Sequence, residues 1–288
     1  GQECLRTLTL DQQPPRTQEQ TWRPDGLLES RHLKQGTTSL LEERFGYDRR
    51  GRLSEHYCSG STLPRDELDR EYVEQIFVFN EFDSLTLVTT RFSNGQTERA
   101  LFSYAPTDPC RLERITYSPA RPTGNPTFSY DLNGNQTRDE QGHTLVYDSQ
   151  SRLVRVEDTA GQTVSAYRYD GHAHLVNTQH GTADETLHFY QGSQLSALTQ
   201  GIRQTHLLYM NDKPLGQQVA GDPGQNLLLM LDANNSVIGE SQQQVLRTAV
   251  YGAYGDRHSD QVMQSLTAFN GEVLEANRGW YLLGRGYR

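Results

Sequence analysis

Between residues 128 and 156 the chain reads FSYDLNGNQTRDEQGHTLVYDSQSRLVRV. Apolar and polar positions alternate there, and the alternation breaks twice, at Asp131–Leu132–Asn133–Gly134 and at Asp148–Ser149–Gln150–Ser151. Alternation of period two places successive side chains on opposite faces of a strand. The breaks carry Asp, Asn, Gly and Ser, the residues that cap turns through a side chain or accept a positive φ. The pattern predicts a strand ending in Tyr, a tight turn opened by Asp, and a returning strand.

The same unit recurs earlier as FGYDRRGRL, with Tyr47 and Asp48 before the turn. Residues 74–90 read EQIFVFNEFDSLTLVTT, a predicted hairpin turning at 80–84 with both faces partly apolar and therefore well buried. Asn94–Gly95 predicts a two-residue hairpin turn between 88–93 and 96–104. Pro106, Pro109, Pro119, Pro122 and Pro126 predict loops around a short strand at 112–117. The charged stretch 59–70, with Pro64, predicts a surface loop. A polar segment at 1–44 leads into the sheet. Residues 260–274 show the best helical spacing in the chain, in Val262, Met263 and Leu266, enough for one helical turn.

The markers Tyr147, Tyr169, Tyr190, Tyr209, Leu231 and Tyr251 follow one another at 22, 21, 19, 22 and 20 residues. A period near 20 is two strands and two turns per unit. One such hairpin cannot bury its own face, so successive units must wind on from one another. The expected fold is all-β: hairpins wound as one continuous sheet ribbon. The expected divisions are 1–44, a repeat region at 45–262, and a C-terminal motif at 263–288.

Composition narrows the partners. The 288 residues carry a net charge of -9, 34% apolar residues and a mean hydropathy of -0.75, with 15 Tyr and 25 Gly. That suits a sheet with much solvated surface and a thin core, since Tyr covers a face while keeping its hydroxyl in water. There is no cluster of Lys and Arg to neutralise phosphates, so nucleic acid is not an expected partner. No run of about 18 apolar residues suggests a membrane span. Neither a basic segment nor an apolar stretch reads as a signal peptide. Cys4, Cys58 and Cys110 are far apart and lack zinc spacing, which predicts reduced thiols made in the cytoplasm.

The Tyr-Asp pairs Tyr47–Asp48, Tyr130–Asp131, Tyr147–Asp148 and Tyr169–Asp170, the turn glycines and the period resemble the YD repeats of bacterial Rhs proteins over residues 45–288. The units are degenerate in 59–127, where Phe79–Asn80 and Phe102–Tyr104 stand in. Ala268–Phe269–Asn270–Gly271–Glu272 and then Gly279–Trp280–Tyr281–Leu282–Leu283–Gly284–Arg285–Gly286–Tyr287–Arg288 are similar to the Rhs-associated core motif. The ending is more similar to the C components of insecticidal Tc toxins than to type VI Rhs proteins. The resemblance implies a hollow β-shell, or part of one, that encloses a C-terminal toxin and is exported by a specialised secretion route. It implies a toxin domain and another shell-forming protein as partners. It also implies an aspartic self-cleavage site supported by an Arg, for which Arg288 falls in place. The acidic pair of that site follows the Arg in the family and is not in this sequence, so the expectation is no enzyme.

Other chemistry is weighed against plain structure. Asp131, Asn133, Asn135, Thr137 and Asp139 have calcium-loop spacing, but Gln136 stands where the loop needs Gly and Gly142 where it needs Glu, so turns are expected. His172 and His174, with His143, His180, His188 and His206, could form a metal site, although solvated strand histidines are the simpler reading. Asp222–Pro223–Gly224 reads as a type I turn. Ser59 and Ser193 lack a nucleophile-elbow context. Cys58 lacks an evident base, and Gly284–Arg285–Gly286 is not a phosphate loop. Glycosylation sequons occur at Asn135 and Asn234. The tyrosines Tyr47, Tyr130, Tyr147, Tyr169 and Tyr251 could stack glycans, which makes a glycan- or cell-surface-binding adhesion module the alternative. The primary expectation is a structural encapsulation segment without cofactor or metal.

Overall fold

The computed structural model describes residues 2–9, 14–275, 277–283, 286 and 287. Antiparallel strands dominate it. A nine-stranded sheet takes in residues 5–118 and a thirteen-stranded sheet residues 129–248, and in both the order in space is the order in sequence. Two small sheets follow: Val250–Tyr251 pairs with Arg257–His258, and Val273–Glu275, Trp280–Leu283 and Gly286–Tyr287 form a three-stranded one. Strictly sequential neighbours are what short hairpin connections produce.

Two compact units result. One holds residues 1–126 and 249–260, the other 127–248 and 261–288. The stretches 1–44, 45–262 and 263–288 cut across them. Within the first 44 residues Leu5–Leu8, Arg16–Trp22 and Leu28–Gln35 are strands, and position 44 falls inside the strand Thr38–Tyr47. The reason for the polar appearance is visible in Arg16–Trp22, whose fully buried positions are Gln18 and Gln20.

In the second unit, one face of the large sheet carries the core. Leu145, Leu153, Val156, Tyr167, Leu175, Leu195, Leu198 and Leu207 meet Val273 and Leu282, with Leu266 and Trp280 packed against them. On the opposite face Leu187, Phe189, Leu208 and Leu228 remain exposed. A sheet covered on one side needs few apolar residues, which accounts for the low mean hydropathy.

Local expectations need correcting in three places. The hairpin formed by Tyr72–Phe79 and Leu85–Phe92 is buried on one face only: Tyr72 and Phe77 are inside, while Val78 is 44% exposed. The Asn94–Gly95 connection is not a two-residue turn. Phe92 N–H donates to Gln96 O and Gly95 N–H to Phe92 O, which makes a three-residue loop with Gly95 at φ 84°. The short strand expected at 112–117 extends over Asp108–Ser118. Residues 260–274 hold a single 3-10 turn, Phe269–Gly271.

Candidate functional site: turn clasps and a docked segment

The repeat resolves into one recurring turn. At Asp148 the backbone N–H bonds Arg152 O at 3.0 Å, and Ser151 N–H bonds Asp148 O at 3.0 Å. Asp148 Oδ1 accepts from the N–H groups of Gln150 and Arg152, and Oδ2 accepts from Arg152 Nε at 2.7 Å. The third loop residue, Ser151, sits at φ 59°. The same backbone bonds and the same two bonds to Oδ1 occur at Asp48, Asp66, Asn80, Asp131, Asp139, Asp158, Asp170 and Asp232. An Asp or Asn whose oxygens close a turn in this way needs only local sequence.

These bonds settle the role of the acidic markers. Hydrogen bonds from Arg52 and Asn135 hold the Asp48 and Asp131 carboxyls below their ordinary range, and the His174 N–H does the same for Asp170. They are saturated acceptors. The calcium-like run is two separate turns, one opened by Asp131 and one by Asp139, so its ligands do not converge.

The tyrosines work one strand further on. Tyr169 closes the strand Thr163–Tyr169, and its hydroxyl donates to Leu153 O, the first residue of the preceding strand, at 2.9 Å. Tyr47 reaches Leu28 O, Tyr104 reaches Leu85 O, and Tyr190 reaches Leu175 O in the same way. Burial pushes the Tyr169 and Tyr190 hydroxyls up to about 12. The Arg at the end of a turn then covers the next unit's aromatic. Arg152 lies 5.1 Å from the Tyr169 ring centroid, and Arg52 lies 4.6 Å from that of Phe79. Their guanidinium groups also donate to Asp170 O and Asn80 O, the first carbonyls of the following turns. In the next unit His174 takes the Arg position, stacking on Tyr190 at 5.0 Å. Successive turns along one edge of each sheet are thereby chained together.

The second feature is the segment whose described residues, 264–275 and 277–283, lie across the core face of the thirteen-stranded sheet. Glu240 accepts from Gln264 N–H at 2.8 Å and Ser265 N–H at 2.7 Å, and Gln217 accepts from Leu266 N–H at 3.0 Å. Val237 N–H bonds Ala268 O at 3.0 Å, and Ser236 Oγ accepts from Asn270 N–H at 3.1 Å. Farther along, the Tyr167 hydroxyl donates to Glu275 at 3.1 Å, and Arg278 Nε donates to Ser165 Oγ at 3.2 Å. Glu240, Ser236 and Gln217 are buried, so each N–H they accept is one the segment would otherwise leave unpaired.

At the far end two polar groupings sit side by side. Glu275 Oε1 lies 3.3 Å from His180 Nδ1, which also contacts Ser165 Oγ at 3.1 Å. Arg278 Nη1 reaches His143 Nδ1 at 3.3 Å, and the same nitrogen contacts Asp139 Oδ2 at 2.8 Å. Burial raises the Glu275 carboxyl to about 7 and lowers the His180 imidazole. Ser165, His180 and Glu275 do not form a catalytic triad. Serine and carboxylate approach the same imidazole nitrogen, and a relay needs both.

Sequence reasoning missed this grouping, because Tyr167 and Glu275 stand 108 residues apart. The histidines expected as solvated strand residues scatter. His172 and His174 lie in the turn opened by Asp170, His206 is exposed, and His188 is buried with its imidazole pushed down to about 4 by desolvation. They form no metal site together.

Cys58 does have a partner, which its sequence context hid. His56, two residues earlier on the same strand face, has Nε2 at 3.3 Å from Cys58 Sγ and at 3.0 Å from Glu43 Oε1. All three are buried and their donor atoms converge. Arg31, however, already bonds both Glu43 oxygens, at 2.6 and 3.0 Å. Burial also pushes the Cys58 thiol far up, away from the thiolate that metal ligation or attack requires. The trio is a buried polar network in the first unit.

The remaining candidates are plain structure. Asp222 precedes a 3-10 turn at Pro223–Gln225. Ser59 and Ser193 are exposed at a strand end and in a turn. Asn135 is bonded to Asp131 and Ser151, and Asn234 lies in the Asp232 turn. Arg288, Gly284 and Arg285 lie outside the described residues.

No protein-family model matches the chain, and no curated protein matches it in sequence. Among solved structures the chain is similar to one in the Photorhabdus luminescens Tc holotoxin pore, with a TM-score of 0.61 at 14% identity, over 95% of this chain and 16% of that one. It is similar to TcdB2-TccC3 without its hypervariable C-terminal region, with a TM-score of 0.62 at 13% identity over 94% and 16%. TcdB2-TccC3-TEV gives 0.60 at 12% over 94% and 16%. The chain therefore spans about a sixth of the length of these neighbours. At such identities the likeness is one of fold, the all-β fold of these Tc toxin chains.

Proposed function

We propose that this chain is a segment of a β-shell that encloses and delivers a toxin polypeptide. The observation that carries the reading is the strictly sequential meander within each of the two large sheets, with chained turns, in a chain aligned over 95% of its length with a Tc holotoxin chain. One sheet face in the second unit holds the core and the docked segment, and the other stays largely open. Such a sheet is a wall rather than a globule. In this reading the chain is a container and not an enzyme, and its partners are a toxin domain and further shell protein. The adhesion reading gains no support from Tyr47 and Tyr169, since Arg23 and Arg152 cover the ring faces a glycan would stack on.

The test is protease protection of a tagged passenger polypeptide fused after residue 288 and expressed with further shell protein. Its tag should stay intact while tags on the sheet turns are cleaved. A downstream tag cut as fast as the same tag on an unfolded peptide refutes encapsulation.

A further inference from the structure

We propose that residues 264–283 are a proton-operated strap: Glu275 and His180 close around a single proton, and loss of that proton lifts the strap from the sheet. Arg278 contacts His143, which contacts the buried Asp139, and its charge also acts on both Glu275 and His180. Glu275 faces His180 across 3.3 Å. Around this pair, among the described residues, the strands on either side of Leu175–His180 contribute: Thr163–Tyr169 presents the hydroxyls of Tyr167 and Ser165, and Thr186–Gln191 presents the buried His188. Within the strap the nearby charged group is Arg278, while Glu272 faces Tyr209.

With one proton between them, carboxyl and imidazole carry no net charge. With none, a bare carboxylate is buried beside a neutral ring. With two, an imidazolium is buried beside a neutral acid. Either imbalance costs free energy only while the strap is docked, because an open strap puts both groups in water. Ties at Glu240, Gln217 and Ser236 hold the strap's first part, residues 264–270. The other end is held by Val273 and Leu282 in the core and by Arg278 on Ser165, and it is there that the Glu275 proton acts.

The sign follows from the shifts. Glu275 moves from its ordinary 4.5 up to about 7 on docking, so docking is complete at lower pH and weakens as pH rises through 7. His180 moves down from 6.5, so its share of docking is lost as pH falls below that value. Docking is strongest in mild acid.

Hydrogen exchange of residues 272–283, corrected for intrinsic rates, tests this at about pH 6 and about pH 8.5. Glu275 alone favours opening about tenfold at the higher pH, and His180 trims this to no less than roughly threefold. Amides of the strand Leu153–Glu157 serve as the control and should not change. Glu275→Gln removes the carboxyl titration and leaves that of His180, so the alkaline rise should vanish or invert. Equal opening at both pH values in the wild type, or an alkaline rise that survives Glu275→Gln, overturns the proposal.

Discussion

The Tyr169 hydroxyl donates to the Leu153 carbonyl at 2.9 Å, and Arg152, the residue before that carbonyl, covers the Tyr169 ring from 5.1 Å. One repeat is thus fastened to the previous one by two adjacent residues. Tyr169→Phe keeps the ring under Arg152 and removes only the hydrogen bond, leaving the Leu153 carbonyl without its partner. The expected loss is about 1 kcal/mol, measured by denaturant midpoint at unchanged slope. Tyr169→Ala removes the ring as well and should cost about 3–5 kcal/mol.

The third position of each turn is left-handed, and five of the nine hold side chains: Asp69, Asp83, Ser151, Ala173 and Asn235. Ala173 sits at φ 64° and Ser151 at φ 59°, where Gly161 and Gly134 stand in equivalent turns at φ 79° and 83°. Ala173→Gly relieves the left-handed strain while adding unfolded-chain freedom, for a net gain of roughly 0.5–1 kcal/mol. Gly161→Ala should show the opposite sign. No atom lies within 4 Å of where its Cβ would go, so that loss is conformational alone. Paired thermal melts check both.

Glu43 is buried and would be costly without Arg31. Burial pushes its carboxyl up, but Arg31 and His56 reverse this and hold it at about 2. Its contribution is therefore present above its ordinary 4.5 and is lost as pH falls toward 2. Arg31→Met leaves the carboxylate unpaired and should cost roughly 3–5 kcal/mol at neutral pH. The deficit should shrink in acid, as urea melts across that range would register.

The thiols should separate by burial. Cys4 and Cys110 are exposed, while Cys58 is buried with its pKa raised. A chromogenic disulfide reagent should titrate two thiols rapidly in the native protein and the third only after denaturation. Fast reaction of all three would contradict the placement of Cys58.

Glu240 accepts two consecutive N–H groups of the strap's first part, from Gln264 and Ser265. Glu240→Ala removes two charge-assisted bonds, each worth about 1.5 kcal/mol or more. Exchange at those two amides should rise by at least about tenfold. Amides near Glu275 should change less, because they are held separately.

How much of this was readable depends on the range of each interaction. The Asp131 and Asp148 turns are closed by atoms within four residues, so the string YD followed by Gly, Asn or Ser was enough to place them. Arg152 was visible at the turn end, but its ring partner lies a full strand and turn away. Gln18 and Gln20 point inward where alternation reasoning expects apolar residues, so the first strands were read as a polar lead-in. The strap was the least legible. Glu275, Tyr167 and His180 meet through a fold that brings the C-terminal residues back over strands made more than ninety positions earlier.

The sequential meander also has a temporal consequence. Every strand of the large sheet bonds only to its neighbours in sequence, so hairpins can be added one after another as the chain emerges, or peeled off one after another under tension from one end. The strap alone breaks that locality, because it ties Glu240 and Ser236 near one margin to Ser165 and His143 toward the other. Until residues 264–283 are laid down, the sheet behaves as a zipper; afterwards, undoing any one tooth between those margins requires lifting the bar across them all.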